Sequence, residues 1–553
     1  MEQSRIFAAI ALSFAVFLLW EFFFVDKVDK QVVEKPEQSL QTQTNSKEEP
    51  YLKEINTESL HSTPLIKKDD LKTIKPPRVI RINTPLYSAV ISEKGAVVKS
   101  FVLNNYKESM KPDSPLLEMI SPELNNGTIK IGLAGNSIPE LNDAFFMTDV
   151  EHDTIEINDY SRELSFFWKS SNGIVIEKKF LFSPETYMVG CNVIIKNGSN
   201  QTIRDNLILS LFKVYAEESG GYGFEGPSAL INNSLEQVKI KDIKDKNIYN
   251  GELKWIVVQD RYFMSCIIPE RAADASMRLF LQDNTVLENQ FVQPESVISP
   301  GTQRVFGFHL FMGPRSTKVL SKIGYDLDKS INFGMFDFLA KPCLWLMNFL
   351  YDHFIANFGI AIIILTTLIK LVMWPLGTKS YKSMNEMKKI QPLVMELREK
   401  HKTDKTKMNE ATMALYKTYK VNPVGGCLPM ILQIPVFFAL YRMLYEAIEL
   451  RHAPFFGWIT DLSAPDRLFD FGFAIPFMQP PYGIPVLTII MGATMFLQQK
   501  ISPAMGDPSQ AKIMQLMPLV FTVIFINFSS GLVLYWLVNN VLSISQQYYT
   551  TNK

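Results

Sequence analysis

Lys370 stands inside "AIIILTTLIKLVMWPL", residues 361–376, an otherwise apolar run of membrane-span character. An ammonium group there costs about 2.5–3.5 kcal/mol at a helix centre. Two arrangements offset that cost: snorkelling to a nearby interface, or a watered polar cavity among helices. Lys370 lies ~9 Å along the helix from Leu376, so a lysine chain could nearly reach the end of the run. Helical side chains, however, lean toward the helix N-terminus. The basic side of the membrane lies beyond Leu376, so Lys370 leans away from it and snorkelling is disfavoured. Polar residues at compatible positions could line a cavity instead. Thr366 is one turn away on the same face. Gln433 opens the next apolar run, and Thr494, Gln498 and Gln499 lie in the one after. Tyr535, Asn539, Ser543 and Gln546 follow at spacings of 4, 4 and 3, one helix face. Interhelical hydrogen bonding explains any one of them. Together with a cation they favour a groove open to the basic side. No carboxylate shares the depth of Lys370, because Glu446 and Glu449 fall at the opposite end of their run. An unpaired cation in a groove is a site for a visiting anion.

Other chemistry finds little support. "GYGFEG", residues 221–226, matches GxGxxG by letter but is followed by Pro227 in an all-β pattern. A dinucleotide fingerprint must follow a strand and open a helix, so a loop is the stronger reading. His61, His152 and His309 show no metal-ligand spacing, and neither GxSxG nor a Walker loop occurs. A sugar-processing role for the β-rich region has no residue to support it. The four cysteines, Cys191, Cys266, Cys343 and Cys427, form no CxxC pair. Cys191 and Cys266 share one region and could pair, although buried free thiols are favoured. No metal or cofactor is expected.

The elements that must position Lys370 follow from hydropathy. Lys plus Arg and Asp plus Glu both total 56, so net charge says nothing about partners, while its distribution does. Residues 1–25 hold an apolar stretch, 6–25, long enough to cross a ~30 Å hydrocarbon core. Its single Arg5 and the absence of a small-residue cleavage site favour an uncleaved anchor over a signal peptide. Residues 26–77 are polar and read as a disordered linker. From 78 to 330, "RVIRI", "YSAVI", "TIEIND", "ELSFFWKS", "IVIEKKFLF" and "CNVIIKN" alternate with turn signals, which predicts a large antiparallel β-sandwich. Residues 331–354 carry Asp337, Lys341, Asp352 and His353 and fit an amphipathic interfacial helix. Spans are expected at 355–376, 428–447, 483–499, 514–528 and 531–548, six with the anchor.

Orientation follows from the loops. Residues 377–427 hold eleven basic side chains and 448–482 hold two, Arg451 and Arg467. The positive-inside rule places the first loop in the cytoplasm and the second outside, with both termini inside. The basic loop itself reads as a helical hairpin. Met387, Ile390, Val394 and Leu397 form one apolar stripe, Met408, Leu415 and Tyr419 another, and Pro392 bends the first helix. Most of its charges solvate the hairpin and set topology. The sharper reading is a docking surface formed by Met384, Met387, Lys388, Lys389, Met395 and Arg398 for an anionic or apolar partner.

These segments resemble a known family. "MALYKTYKVNPVGGCLPMILQIPVFFALYRML" (413–444), "ELRHAPFFGWITDLSAPD" (449–466), "GATMFLQQKISP" (492–503) and "SGLVLYWLVNN" (530–540) are similar to the YidC/Oxa/Alb membrane-protein insertases. The resemblance covers nearly the whole chain. It implies a polytopic α-helical membrane protein with a five-helix insertase core, an N-terminal anchor, a periplasmic β-supersandwich and a cytoplasmic hairpin. It also implies a bacterial inner-membrane location and a hydrophilic groove open to the cytoplasm and to lipid. The family's groove cation falls on Lys370, where bacterial relatives commonly carry Arg. Its substrate-contacting tyrosine falls on Tyr535, with Trp536 beside it. The implied partners are nascent integral membrane proteins, the ribosome, the Sec translocon with its accessory subunits, and lipid, with no DNA and no chemical catalysis. The sequence closes at Lys553 without a long basic tail, so tail-assisted ribosome binding is not expected. The rival reading is a channel or secondary transporter using Lys370 as a counter-ion, which would call for an internal repeat; none is visible. Arg442 has no evident role at this level.

Overall fold

A computed structural model describes residues 77–215, 223–401, 404–419, 421, 428–501 and 508–551. The expected anchor, the expected linker up to residue 76, Cys427 and the first two residues of the GYGFEG stretch lie outside the described residues. Alternation of apolar and polar side chains builds the sheet domain. In the strand Met188–Asn197, Cys191, Val193 and Ile195 are buried while Asn192 and Lys196 face out. That strand pairs antiparallel with Ile174–Phe182 on one side and Gln303–Pro314 on the other, near the middle of a 13-stranded sheet. A five-stranded sheet faces the same core. It departs from the expected antiparallel pattern at one edge, where Thr154–Glu156 runs parallel to Val79–Asn83. Every strand quoted from the sequence forms. Cys191 and Cys266 are buried and free, so the disulfide alternative does not hold.

The period-2 pattern also drives Lys178 onto the core face, between Ile176 and Phe180. The lysine is fully buried, and its Nζ donates to the carbonyls of Ala96 (2.7 Å) and Ile129 (2.6 Å). Both acceptor residues have left-handed backbone, φ 45° and 60°. Lys178 therefore ties two strained turns to the large sheet. Desolvation holds its ammonium at about pKa 8, below the usual 10.5. Between those pH values the unfolded chain binds more protons than the folded one, so Lys178 adds stability as pH rises across the window. A neutral amine still donates both hydrogen bonds. Lys178→Met is expected to cost about 2–3 kcal/mol near pH 10, where two carbonyls lose an uncharged donor. The cost shrinks toward zero below pH 8, where the variant also escapes the buried charge. Urea titrations at the two pH values, followed by sheet circular dichroism, check this.

After the last sheet strand the chain turns helical: α1 (Thr317–Ile323), α2 (Asp337–His353), α3 (Phe358–Lys400), α4 (Lys405–Thr418), α5 (Leu428–Glu446), α6 (Val486–Ile501), α7 (Pro508–Phe525) and α8 (Ser530–Thr551). Asn357 caps α3, its side chain accepting from Ile360 N. No helix break falls at residue 376. α3 runs 43 residues, Pro375 and Pro392 included, so the expected span and the first hairpin arm are one helix ~65 Å long. Among the described residues α3 is the one helix long and apolar enough, by length and composition, to cross a membrane; α6 and part of α7 are shorter apolar helices.

The helices are packed with polar groups inward and apolar groups outward. Asn540, Ser543, Gln546, Gln547 and Thr550 of α8 are buried, as is Thr366 of α3. Leu371, Val372, Ile489, Phe496, Leu519 and Ile524 are exposed. This inversion suits a bundle whose outer solvent is hydrocarbon. α2 buries Ala340, Cys343, Leu344 and Met347 and leaves Phe338 and Trp345 exposed.

Candidate functional site

Three helices converge around Lys370. α3 and α8 pack side by side, and small residues at the seam bring them close. A Cβ on Gly377 would fall 2.7 Å from the Gln546 amide, and that amide donates to the carbonyl of Trp374 at 2.8 Å. One turn before Gln546 on α8, the Ser543 hydroxyl accepts from Lys370 Nζ at 2.7 Å and donates to the Asn539 carbonyl at 2.7 Å. The Tyr381 phenol also reaches Ser543. On the other flank, Gln433 of α5 bonds the buried Tyr535 phenol. Lys370 is half-buried and has no salt-bridge partner among the described residues.

Thr366, Lys370, Gln433, Tyr535 and Asn539, with Ile369, Met373 and Val436, line one cavity of about 20 Å³. That is room for about one water. The Thr366 hydroxyl is spent on its own helix, donating to the Ile362 carbonyl at 2.6 Å, so it shapes the wall more than it offers a group. The structure thus gathers Lys370, Thr366, Gln433, Tyr535 and Asn539 at one place, with Ser543 behind the ammonium. Trp536 points elsewhere, into an aromatic cluster with Phe437 and Phe525 at centroid distances of 4.7 and 4.8 Å. Gln498 and Gln499 are half-buried on α6 and do not line this cavity. Tyr381 escaped the sequence reading although it lies three turns beyond Lys370 on the same face, and its phenol leans back toward the helix N-terminus.

The residues expected to form the basic hairpin lie on the far part of α3 and on α4. Ile390 and Val394 are buried, Met384 and Met387 half-buried, and Lys388, Lys389 and Met395 exposed. The Arg398 side chain lies outside the described residues. Asp404 caps α4 by accepting from Lys407 N. No group of three or more His, Cys, Asp or Glu suited to a metal occurs among the described residues.

At the opposite end, the sheet domain is locked to the bundle. Arg261 Nε donates to the Tyr445 carbonyl at 2.7 Å, and its guanidinium lies 3.6 Å from the Tyr445 ring centroid. Arg315 Nη2 meets Glu446 at 3.8 Å, and Ser316 donates to Glu449 at 3.0 Å. Arg442, without a role in the sequence, pairs with Glu446 at 3.5 Å.

A mostly-sheet domain joined to a helical core with a polar interior and an apolar exterior defines a membrane protein with a large extramembrane domain. Residues 79–346 match the family described as YidC periplasmic domain, and 349–553 the family described as 60Kd inner membrane protein. The membrane protein insertase YidC of Syntrophus aciditrophicus is 39% identical, covering 98% of each chain. That of Syntrophobacter fumaroxidans is 37% identical, covering 99% of each. A crystal structure of an active YidC insertase with its first transmembrane domain resolved is similar at TM-score 0.37 and 18% identity, covering 86% of this chain and 95% of that one. The chain belongs to the YidC family of membrane protein insertases.

Proposed function

We propose that the protein inserts and folds integral inner-membrane proteins through a groove centred on Lys370, without chemical catalysis. The observation that carries this reading is an ammonium with no ion-pair partner among the described residues, held by a hydroxyl beside a polar cavity. In this reading the bundle crosses the membrane five times behind the N-terminal anchor. Both termini and the hairpin are cytoplasmic, the sheet domain is periplasmic, and α2 lies in the interface. An incoming segment leaves the ribosome near the hairpin, where Met384, Met387, Lys388, Lys389, Met395 and Arg398 meet it, alone or beside the Sec translocon. Acidic or polar residues of its short external tail enter the groove and meet Lys370. A charge pair at 4 Å contributes ~1 kcal/mol in water and ~4 kcal/mol at an effective dielectric of 20. That attraction holds a tail transiently and still releases it. The apolar segment then partitions into lipid, and hydrophobic burial supplies the driving force.

The test is photo-crosslinking from positions 370, 433 and 535 to a stalled nascent membrane protein. Crosslinks are expected from all three. Their absence at every position would remove the groove reading.

A further inference from the structure

The connection from α5 to α6 contains a second built feature, which the groove does not use. Residues 467–485, "RLFDFGFAIPFMQPPYGIP", hold only Arg467 and Asp470 as charges. Phe469, Phe471, Phe473 and Phe477 are 69, 40, 63 and 85% exposed. In water a loop gains by turning four phenylalanines inward, and a patch left outward marks an interaction surface.

This loop is not slack. Arg467 donates from Nε to the Pro481 carbonyl (2.9 Å) and from Nη1 to the Ile526 carbonyl (2.8 Å). Asn527 donates to the Phe477 carbonyl (2.9 Å) and accepts from Gln479 N (2.8 Å). Leu468 and Ile484 exchange backbone hydrogen bonds, and Phe471 N donates to the Tyr482 carbonyl at 2.7 Å. Phe469 and Phe477 are held at φ 65° and 64°, a left-handed conformation unusual for bulky residues. Such strain persists where the surroundings over-determine it. Here the frame fixes the rings in an outward display.

The frame's anchor points identify what covers the rings. Ile526 and Asn527 form the turn between α7 and α8. Asp466, just before the loop, accepts from Leu487 N (2.7 Å) and the Thr488 hydroxyl (3.0 Å) at the start of α6. Exposed Ile489 and Ile490 on α6, and Val523 and Ile524 on α7, begin within about a turn of these anchors. The phenylalanines therefore prolong the hydrocarbon-facing surface of two membrane helices, at the bundle end that carries the sheet domain. Aromatic rings favour the boundary between headgroups and acyl chains. We infer that residues 468–482 form an interfacial anchor that dips Phe469, Phe473 and Phe477 into the phospholipid leaflet on the sheet-domain side. This rests on the membrane placement of the helices and stands independently of the groove.

The test uses the full chain in phosphatidylethanolamine–phosphatidylglycerol liposomes, with Cys427→Ser and one nitroxide-labelled cysteine at a time. Cys191, Cys266 and Cys343 are buried. Phe473→Cys and Phe477→Cys are compared with Leu519→Cys on exposed α7 and Tyr160→Cys on the sheet domain, which are 62 and 86% exposed. Both loop labels point away from the frame, so the display survives labelling. Relaxation by oxygen relative to a water-soluble nickel chelate is expected to be several-fold higher at 473 and 477 than at 160, approaching the value at 519. A ratio equal to that at 160 places the rings in water and overturns the proposal. Shielding from both relaxants places a protein partner there and overturns it equally.

Discussion

Lys370→Glu is expected to cut insertion of reporters with acidic external tails by about tenfold or more, the factor that ~1.4 kcal/mol sets. The ammonium sits beside the cavity with Ser543 as its hydrogen-bond acceptor and, among the described residues, no ion-pair partner. Its attraction is therefore available to a visiting anion. Reversing the sign converts up to ~4 kcal/mol of attraction into repulsion of similar size. Reporters with uncharged tails lose much less. Lys370→Arg keeps the charge and retains most activity, but its planar fork grips a carboxylate bidentately where lysine acts as a point charge. Release of acidic tails then slows, so turnover falls more than capture does. Lys370→Met tests the charge alone, since it keeps an unbranched chain of similar length. The measurement is protease protection of reporter tails in proteoliposomes, comparing acidic with neutral tails for each variant. Equal losses for Glu and Arg, or no dependence on tail charge, would overturn electrostatic capture.

What could be read from the chain follows from which signals are local. Lys370 was conspicuous because charge inside an apolar run is costly wherever the chain goes. The α8 face of Tyr535, Asn539 and Ser543 was legible because helical spacing alone puts those residues in line. Trp536 entered with the family resemblance and not with that spacing: one residue further round the helix, the indole turns to Phe437 and Phe525. Strand alternation found the sheet domain, and it also placed Lys178 on the core face. It could not say that two left-handed turns far away in sequence supply the acceptors. Arg442 was opaque for a related reason. Its partner Glu446 is one turn away, but that carboxylate makes sense only once Arg315 arrives from the sheet domain. Long-range pairing of buried charge is set by topology, which no local pattern encodes.

That pairing carries the second large effect. Glu446→Leu is expected to destabilise the junction between sheet domain and helices by about 3–5 kcal/mol, the usual cost of stranding a buried partner. Arg315 and Glu446 have side chains only 3% and 2% exposed. Neither Glu446 oxygen accepts a hydrogen bond among the described residues, so its contribution is charge compensation at 3.5–3.8 Å. Arg315 keeps the carbonyls of Asp260 and Arg261 at 2.8 and 3.0 Å when Glu446 is gone. Those dipoles orient the guanidinium, and the carboxylates of Asp260 and Glu225, which also act on it, offset less of its charge than Glu446 does. Arg442 is about a quarter exposed and can turn to water, so the loss falls mainly on Arg315. Replacing both partners, as Arg315→Met with Glu446→Leu, removes the stranded charge and is expected to recover most of the stability, because apolar groups of similar volume substitute well for a buried pair. Thermal unfolding of the full chain in detergent, run as a double-mutant cycle, separates these outcomes. A double variant no more stable than Glu446→Leu alone would show that shape, and not charge, holds the junction. Recovery by the double variant would show that the loss in Glu446→Leu comes from the stranded Arg315 charge and that the pair itself adds little net stability.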